Sequence, residues 1–199
     1  MKYNLSEITE VIKNRRTIYP EMYSTRKVHK EIIEDLLNNA IWAPTHGLTQ
    51  PWRFSVFTGK GLERLSDFQS DLYKKLFTGS DFNEMKYNKL KRRPLLASAV
   101  IAVSVKRDKK EKISELEETE AVACAIQNMH LTATAYGLGA FWASPKLIYR
   151  PEMKDFLELE EKDNCVALFY IGYPNLDEWP KGQRKPIEYV TKWIDTKEG

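Results

Sequence analysis

The chain has 199 residues, 42% of them hydrophobic and 30% charged, with a net charge of +3 at pH 7. That length fits one generous domain with a sizeable core, and so mild a positive charge does not by itself argue for nucleic acid. Cys124 and Cys165 lie far apart in apolar stretches with no CxxC or Cys/His spacing, which excludes a disulfide framework or a zinc site; both are expected to be small buried residues.

The N-terminal MKYNLSEITE has no apolar core of a signal peptide, and the longest apolar run, Leu95 to Val105, is interrupted by Ser98 and Ser104 and is too short to span a membrane. A cytoplasmic protein is expected. Leu5, Ile8 and Ile12 share one helical face, with Asn4 and Glu7 as a loose capping pair, so a first helix runs to about Asn14 and leaves Arg15-Arg16-Thr17 at its end. A second helix spans Val28 to Ile41, with Ile32, Leu36, Leu37 and Ala40 inward and Pro44 just beyond. Arg53 to Thr58 alternates as a strand. Leu62 to Phe77 reads as a helix, and Phe82 to Leu90 as a weaker one before KRRP.

Ala97 to Val105 is a continuous β-branched run, the pattern of a strand buried on both faces. KRDKKEK (106–112) after it reads as a solvated face. Glu117 to Tyr136 is a long helix dense in small residues, the expected central helix, capped by Gly137. Ala140 to Ala143 is a short strand, Arg150 to Leu159 a helix, and Val166 to Tyr173 a buried strand. From Pro174 the chain is rich in Pro, Trp and Lys and reads as an extended tail, 174–199, long enough to reach a partner subunit. About five helices and four strands give an α+β fold, a central mixed β-sheet flanked by helices, in a single domain over 1–199.

Several chemistries are absent. There is no G-x-S-x-G elbow, no Walker A loop and no recognisable acid/base pair. Gly137-Leu138-Gly139 follows a helix and precedes a strand, the reverse of the dinucleotide fingerprint, so it reads as a helix cap plus a backbone packed closely on something flat. Lys89 to Arg93 is a basic run without interleaved aromatics or a recognised nucleic-acid module. His29 and His130 belong to no motif and are expected to be structural.

Four features remain: Arg15-Arg16-Thr17 at a helix end, the loop APTHGLTQPW (43–52), GLGAFWAS (137–144), and GYPNLDEWPKGQRKP (172–186). In this order and combination, across nearly the whole chain, they resemble the nitroreductase family of FMN-dependent oxidoreductases, and most closely its compact bacterial NAD(P)H nitroreductases. The resemblance implies a homodimeric flavoprotein in which NAD(P)H reduces bound FMN and the flavin reduces an electrophilic small-molecule acceptor, such as a nitroaromatic or a quinone, in ping-pong turnover. The flavin would carry the chemistry, so no catalytic side chain and no metal is expected. Arg15, Arg16 and Thr17 would contact the phosphate, with Arg184 and Lys185 closing over it. His46 and Gln50 would lie around the flavin, His46 from the partner subunit. Trp142, Ala143 and Ser144 would present backbone to the reactive ring. The alternative implied function is a flavin-binding storage or sensing protein with little nicotinamide turnover. Two departures stand out: TIYPEMYSTRKV rearranges the stretch after the first motif, and 62–93 is the family's variable excursion, which cannot be carried over.

Overall fold

The computed structural model describes residues 2–194. Its elements are α1 (Leu5–Asn14), α2 (Lys30–Ala40), β1 (Trp52–Phe57), α3 (Lys60–Leu76), α4 (Glu84–Leu96), β2 (Ala99–Val105), α5 (Glu115–Ala135), β3 (Gly139–Ala143), α6 (Pro151–Phe156) and β4 (Asn164–Gly172). The four strands form one sheet in the order β1-β2-β4-β3, antiparallel at every pairing. The expected mixed character is confined to one isolated parallel bridge, Thr17 to Ala140.

The sheet is covered on both faces. Side chains alternate along a strand, so Ala99, Ile101, Val103 and Val105 of β2 pack with α2 and α5, while Val100 and Ala102 pack with α3 and α6. This explains the unbroken apolar run in β2: all seven of its residues are buried. A third cluster joins Leu72 and Tyr73 of α3 to Tyr87 and Leu90 of α4.

Local signals set most boundaries. Ser114 starts α5 with a capping box, its side chain accepting from the Glu117 N–H while Glu117 reaches back to the Ser114 N–H. At α1 the cap is simpler than expected: Asn4 accepts from the Ser6 N–H at 3.1 Å, and Glu7 takes no part. Gly137, at φ +67°, ends the turn after α5. The close approach expected near Gly139 is to a ring of this chain, because a Cβ on Gly139 or Gly172 would lie 2.7 or 2.5 Å from Tyr23.

Other expectations need correction. The helix expected to stop at Leu90 continues through KRRP to Leu96. Pro94 falls in its last turn, where it forgoes one N–H bond to the preceding turn but has only Leu95 and Leu96 of the helix beyond it, and the Ser66 hydroxyl donates to the Lys91 carbonyl there. KRDKKEK is not wholly solvated: the Arg107 guanidinium pairs with the buried Glu118 carboxylate, which also accepts from the Asp108 N–H at 3.2 Å. Cys165 is buried as expected and its thiol is pushed up to about 12 by burial, but Cys124 is exposed. Both are free.

The face that named α1 as a helix is not a core face. Leu5, Ile8 and Ile12 are 74%, 45% and 52% exposed, and α1 buries none of its residues. The tail shares this character. Its first part is tied to the domain by Asn175 N–H to the Met22 carbonyl at 2.8 Å and the Trp179 indole N–H to the Asn14 carbonyl at 2.7 Å. Further on, Tyr189, Val190, Trp193 and Ile194 are exposed. Residues 195–199 of the expected tail lie outside the described residues.

Candidate functional site

Where α1 ends, the Arg15 N–H donates to the Val11 carbonyl at 3.1 Å and the backbone turns extended. Two arginines thereby leave the helix end toward α5. His130, buried on α5, meets both: its Nε2 lies 2.9 Å from the Arg16 carbonyl and its Nδ1 lies 3.5 Å from Arg15 Nη1. A carbonyl only accepts, so Nε2 carries the proton and the Nδ1 lone pair faces the Arg15 guanidinium. Burial, together with the neighbouring Arg15 charge, lowers His130 to about 4, against the Arg16 carbonyl, which pulls the other way. The imidazole is neutral near pH 7. Its ring stands edge-on to Phe169 at 5.4 Å.

Arg16 turns to the tail, where its Nη2 donates to the Lys181 carbonyl at 3.1 Å. A Cβ at Gly182 would lie 2.0 Å from Arg16 Nη1, so any side chain there would displace the guanidinium. Arg184 Nη1 donates to the Gln183 carbonyl at 2.8 Å. Burial first, then the charges of Arg184 and Arg16, hold Arg15 below the usual arginine range. Among the described residues, none of these three guanidiniums has a carboxylate within ion-pair distance. Crowded cations without a counter-ion form a donor set suited to a multiply charged anion such as a phosphate. Lys185 beside them is exposed.

Thr17 carries this cluster onto the sheet. It bridges to Ala140, and the Ile18 N–H donates to the Ala140 carbonyl at 2.9 Å. Backbone groups alternate along a strand, so the Trp142 N–H also points to the outer edge of β3, beyond the bridge. The half-buried Trp142 ring packs into the α5 side of the core, and Ala143 faces the opposite layer. Ser144 is exposed, and its hydroxyl donates to the Val166 carbonyl at 3.0 Å. Thr17 thus joins the arginine end of α1 to β3 two residues before Trp142, and Arg184 adjoins Arg15.

His46 and Gln50 lie elsewhere on the chain. Their loop is tightly wound, with Gly47, Leu48 and Gln50 at φ +59°, +54° and +46°, and strain of this kind gathers at functional segments. His46 Nδ1 lies 3.0 Å from Glu117 Oε1, and this contact first, then Ser114, holds the Glu117 carboxyl below the usual range. The Gln50 N–H donates to Thr45 Oγ1 at 3.1 Å. Because His46 touches α5 at residue 117 and Arg15 touches it at residue 130, the two sites are separated by about 20 Å of helix at ~1.5 Å per residue. One chain does not bring them together.

The expected structural role of His130 holds, and its particular work is to fix the Arg16 backbone and face Arg15. Its only sequence signal is a polar residue on the buried face of an alanine-rich helix, the pattern of any satisfied core histidine. His29, by contrast, precedes α2 with no side-chain cap bond. Among the described residues, no group of three or more His, Cys, Asp or Glu is placed to hold a metal, and no helix is long and apolar enough to cross a membrane.

Comparison with known proteins places this geometry in context. The model of the nitroreductase family matches residues 12–173. YdjA of Escherichia coli K12, a protein provisionally named an NAD(P)H nitroreductase, is 30% identical over 146 residues, covering 73% of this chain and 78% of that protein. A nitroreductase-like family protein of Bacillus cereus superposes with a TM-score of 0.78 at 30% identity, covering 98% of this chain and 99% of that one. A Desulfovibrio desulfuricans protein solved in complex with FMN shares the fold, with a TM-score of 0.73 at 23% identity over 98% of this chain and all of that one.

Proposed function

Because this chain belongs to the nitroreductase family, we propose that it is an FMN-dependent oxidoreductase that draws electrons from NAD(P)H and reduces a small electrophilic acceptor such as a nitroaromatic or a quinone. The observation that carries the reading is the meeting of Arg15, Arg16 and Arg184 without a carboxylate partner. FMN ends in a dianionic phosphate, and planar guanidiniums match that group. Thr17, exposed beside them, adds a hydroxyl, and Lys185 adds an exposed cation. FMN, when bound, supplies hydride transfer between nicotinamide and acceptor. The FMN complex of the Desulfovibrio relative and the name of the Escherichia coli relative point the same way.

The chain's own residues bind and orient. The outer edge of β3 leads from the phosphate donors past Trp142 and Ala143 to Ser144, and the outward Trp142 N–H would meet the ring of a bound FMN, while Ala143 pairs inward with β4. A backbone N–H there stabilises negative charge on a reduced ring without itself titrating. His46 and Gln50, about 20 Å from Arg15 along α5, serve the site of a second copy. The apolar face of α1 and the tail beyond Gly182 supply the surface on which that copy packs. Such an enzyme works where reduced nicotinamide is kept, in the cytoplasm.

Arg15→Ala tests the phosphate assignment. It should weaken FMN binding by about 1.5–3 kcal/mol, the scale of one charge-assisted hydrogen bond, as read by flavin fluorescence titration. Riboflavin, which lacks the phosphate, should bind wild type and variant alike. Equal FMN affinity in the two proteins would overturn the assignment.

A further inference from the structure

The helix α4 lies in the excursion that no motif explains. Tyr87 and Leu90 turn toward α3, while Lys86, Lys89 and Arg93 follow at spacings of three and four and share one face. Two cavities, of about 330 and 450 Å³, open along that face. Both are lined by Lys89, Leu90, Arg93, Ser144 and Pro145, so they form one trough. Its near end is walled by Trp142, Ala143 and the rings of Phe141 and Tyr170, and its far end by Tyr73 and Phe77.

We propose that this trough is the acceptor subsite and that it selects aromatic acceptors carrying an anionic substituent, such as a carboxylate or a sulfonate. The proposal rests on the FMN reading above, because it needs the reactive ring at Trp142–Ser144.

The charges differ along the trough. Arg93 is committed locally: its Nε donates to Glu21 at 2.8 Å, and its guanidinium lies 5.3 Å from the Tyr19 ring centre and 5.1 Å from that of Phe141. It forms a fixed wall. Lys86, Lys89 and Lys146 have no carboxylate within ion-pair distance among the described residues, and Asp81 is the one carboxylate lining either cavity. Glu21, bonded to Arg93, also lies within charge range of Lys89, so three ammonium groups without a close ion-pair partner face two carboxylates, one of them already committed to Arg93. A flat acceptor seated against Phe141 and Tyr170 places a substituent on its far side under Lys89 and Lys86. An anion there gains attraction in a half-enclosed, partly apolar trough, where charge interactions exceed their value in open water. A neutral substituent gains none.

The test uses FMN-loaded wild type and a Lys86→Glu/Lys89→Glu double variant. Flavin content is read first by absorbance. The flavin is then photoreduced, so that no nicotinamide competes for the trough, and anaerobic reoxidation by 4-nitrobenzoate and by neutral 4-nitrobenzyl alcohol is followed by stopped flow. In wild type, the second-order rate constant for the anion should exceed that for the neutral probe by about tenfold or more, the factor given by ~1.4 kcal/mol. The ratio should collapse in about 1 M salt, where screening acts over ~3 Å, and it should fall to one or below in the double variant. A wild-type ratio near one, or a ratio unchanged by charge reversal in a variant that retains flavin, overturns the proposal alone. Wild type that holds no FMN overturns the underlying reading and the proposal with it.

Discussion

His130 makes a prediction at the level of a single side chain. Its native value of about 4 lies below the ordinary 6.5, so between those values the unfolded chain binds a proton that the folded chain refuses. The associated stability is fully present above pH 6.5 and is lost as pH falls toward 4. The difference corresponds to about 3 kcal/mol. Denaturant midpoints of wild type and His130→Gln should therefore converge as pH falls from 7 to 4; parallel curves would contradict the neutral, Nε2-protonated assignment. The arginines beside it were legible in the sequence, because two adjacent guanidinium residues and a hydroxyl at a helix end form a pattern with a chemical purpose. His130 was not, because what distinguishes it is a contact with Arg16 across 114 residues of chain. The same holds for Gly182, whose missing side chain leaves room for Arg16.

Among the elements, the junction of β2 and α5 depends on one buried ion pair. Arg107 follows β2, Glu118 sits in the first turns of α5, and Glu118 is 1% exposed. Removing one partner of a buried pair leaves the other charge stranded and costs about 3–5 kcal/mol. Glu118→Ala should lower stability by that amount in urea unfolding, while an exposed neighbour such as Glu115→Ala should change it far less. A loss below about 1 kcal/mol would show that the pair is not desolvated. The strands were readable because β2 and β4 carry continuous apolar runs, and α5 because of its length and small residues. The end of α4 was misread because Pro94 and a run of cations look like a stop when taken alone. The helix is held there by Ser66 and the packing of α3, neither of which is local. The burial of Arg107 was hidden for the same reason: it lies in a run that otherwise reads as solvated, and its partner lies eleven residues ahead in α5.

For the whole molecule, the proposed homodimer rests on the exposed apolar residues of α1 and of the tail. Period-3.6 patterning identified α1 as amphipathic but could not say whether its apolar stripe meets its own core or another copy; the structure shows Leu5, Ile8 and Ile12 facing out. Strand order was likewise beyond the sequence, since β1-β2-β4-β3 depends on which long-range pairings win. Ile8→Glu replaces an already exposed residue, so the monomer should stay folded. In the proposed dimer His46 and Gln50 complete the second copy's site, so sedimentation should shift from dimer to monomer mass and FMN affinity should fall. A variant that sediments as wild type would move the interface elsewhere. The central claim, an FMN site fed by nicotinamide, is tested most directly by the visible absorption spectrum of the purified protein, recorded before and after anaerobic addition of NADH or NADPH. A bound-flavin spectrum that bleaches with at least one nicotinamide is the predicted result. A bound flavin that resists both would favour storage or sensing over turnover, and a protein that takes up no FMN on reconstitution would contradict the assignment of Arg15, Arg16 and Arg184.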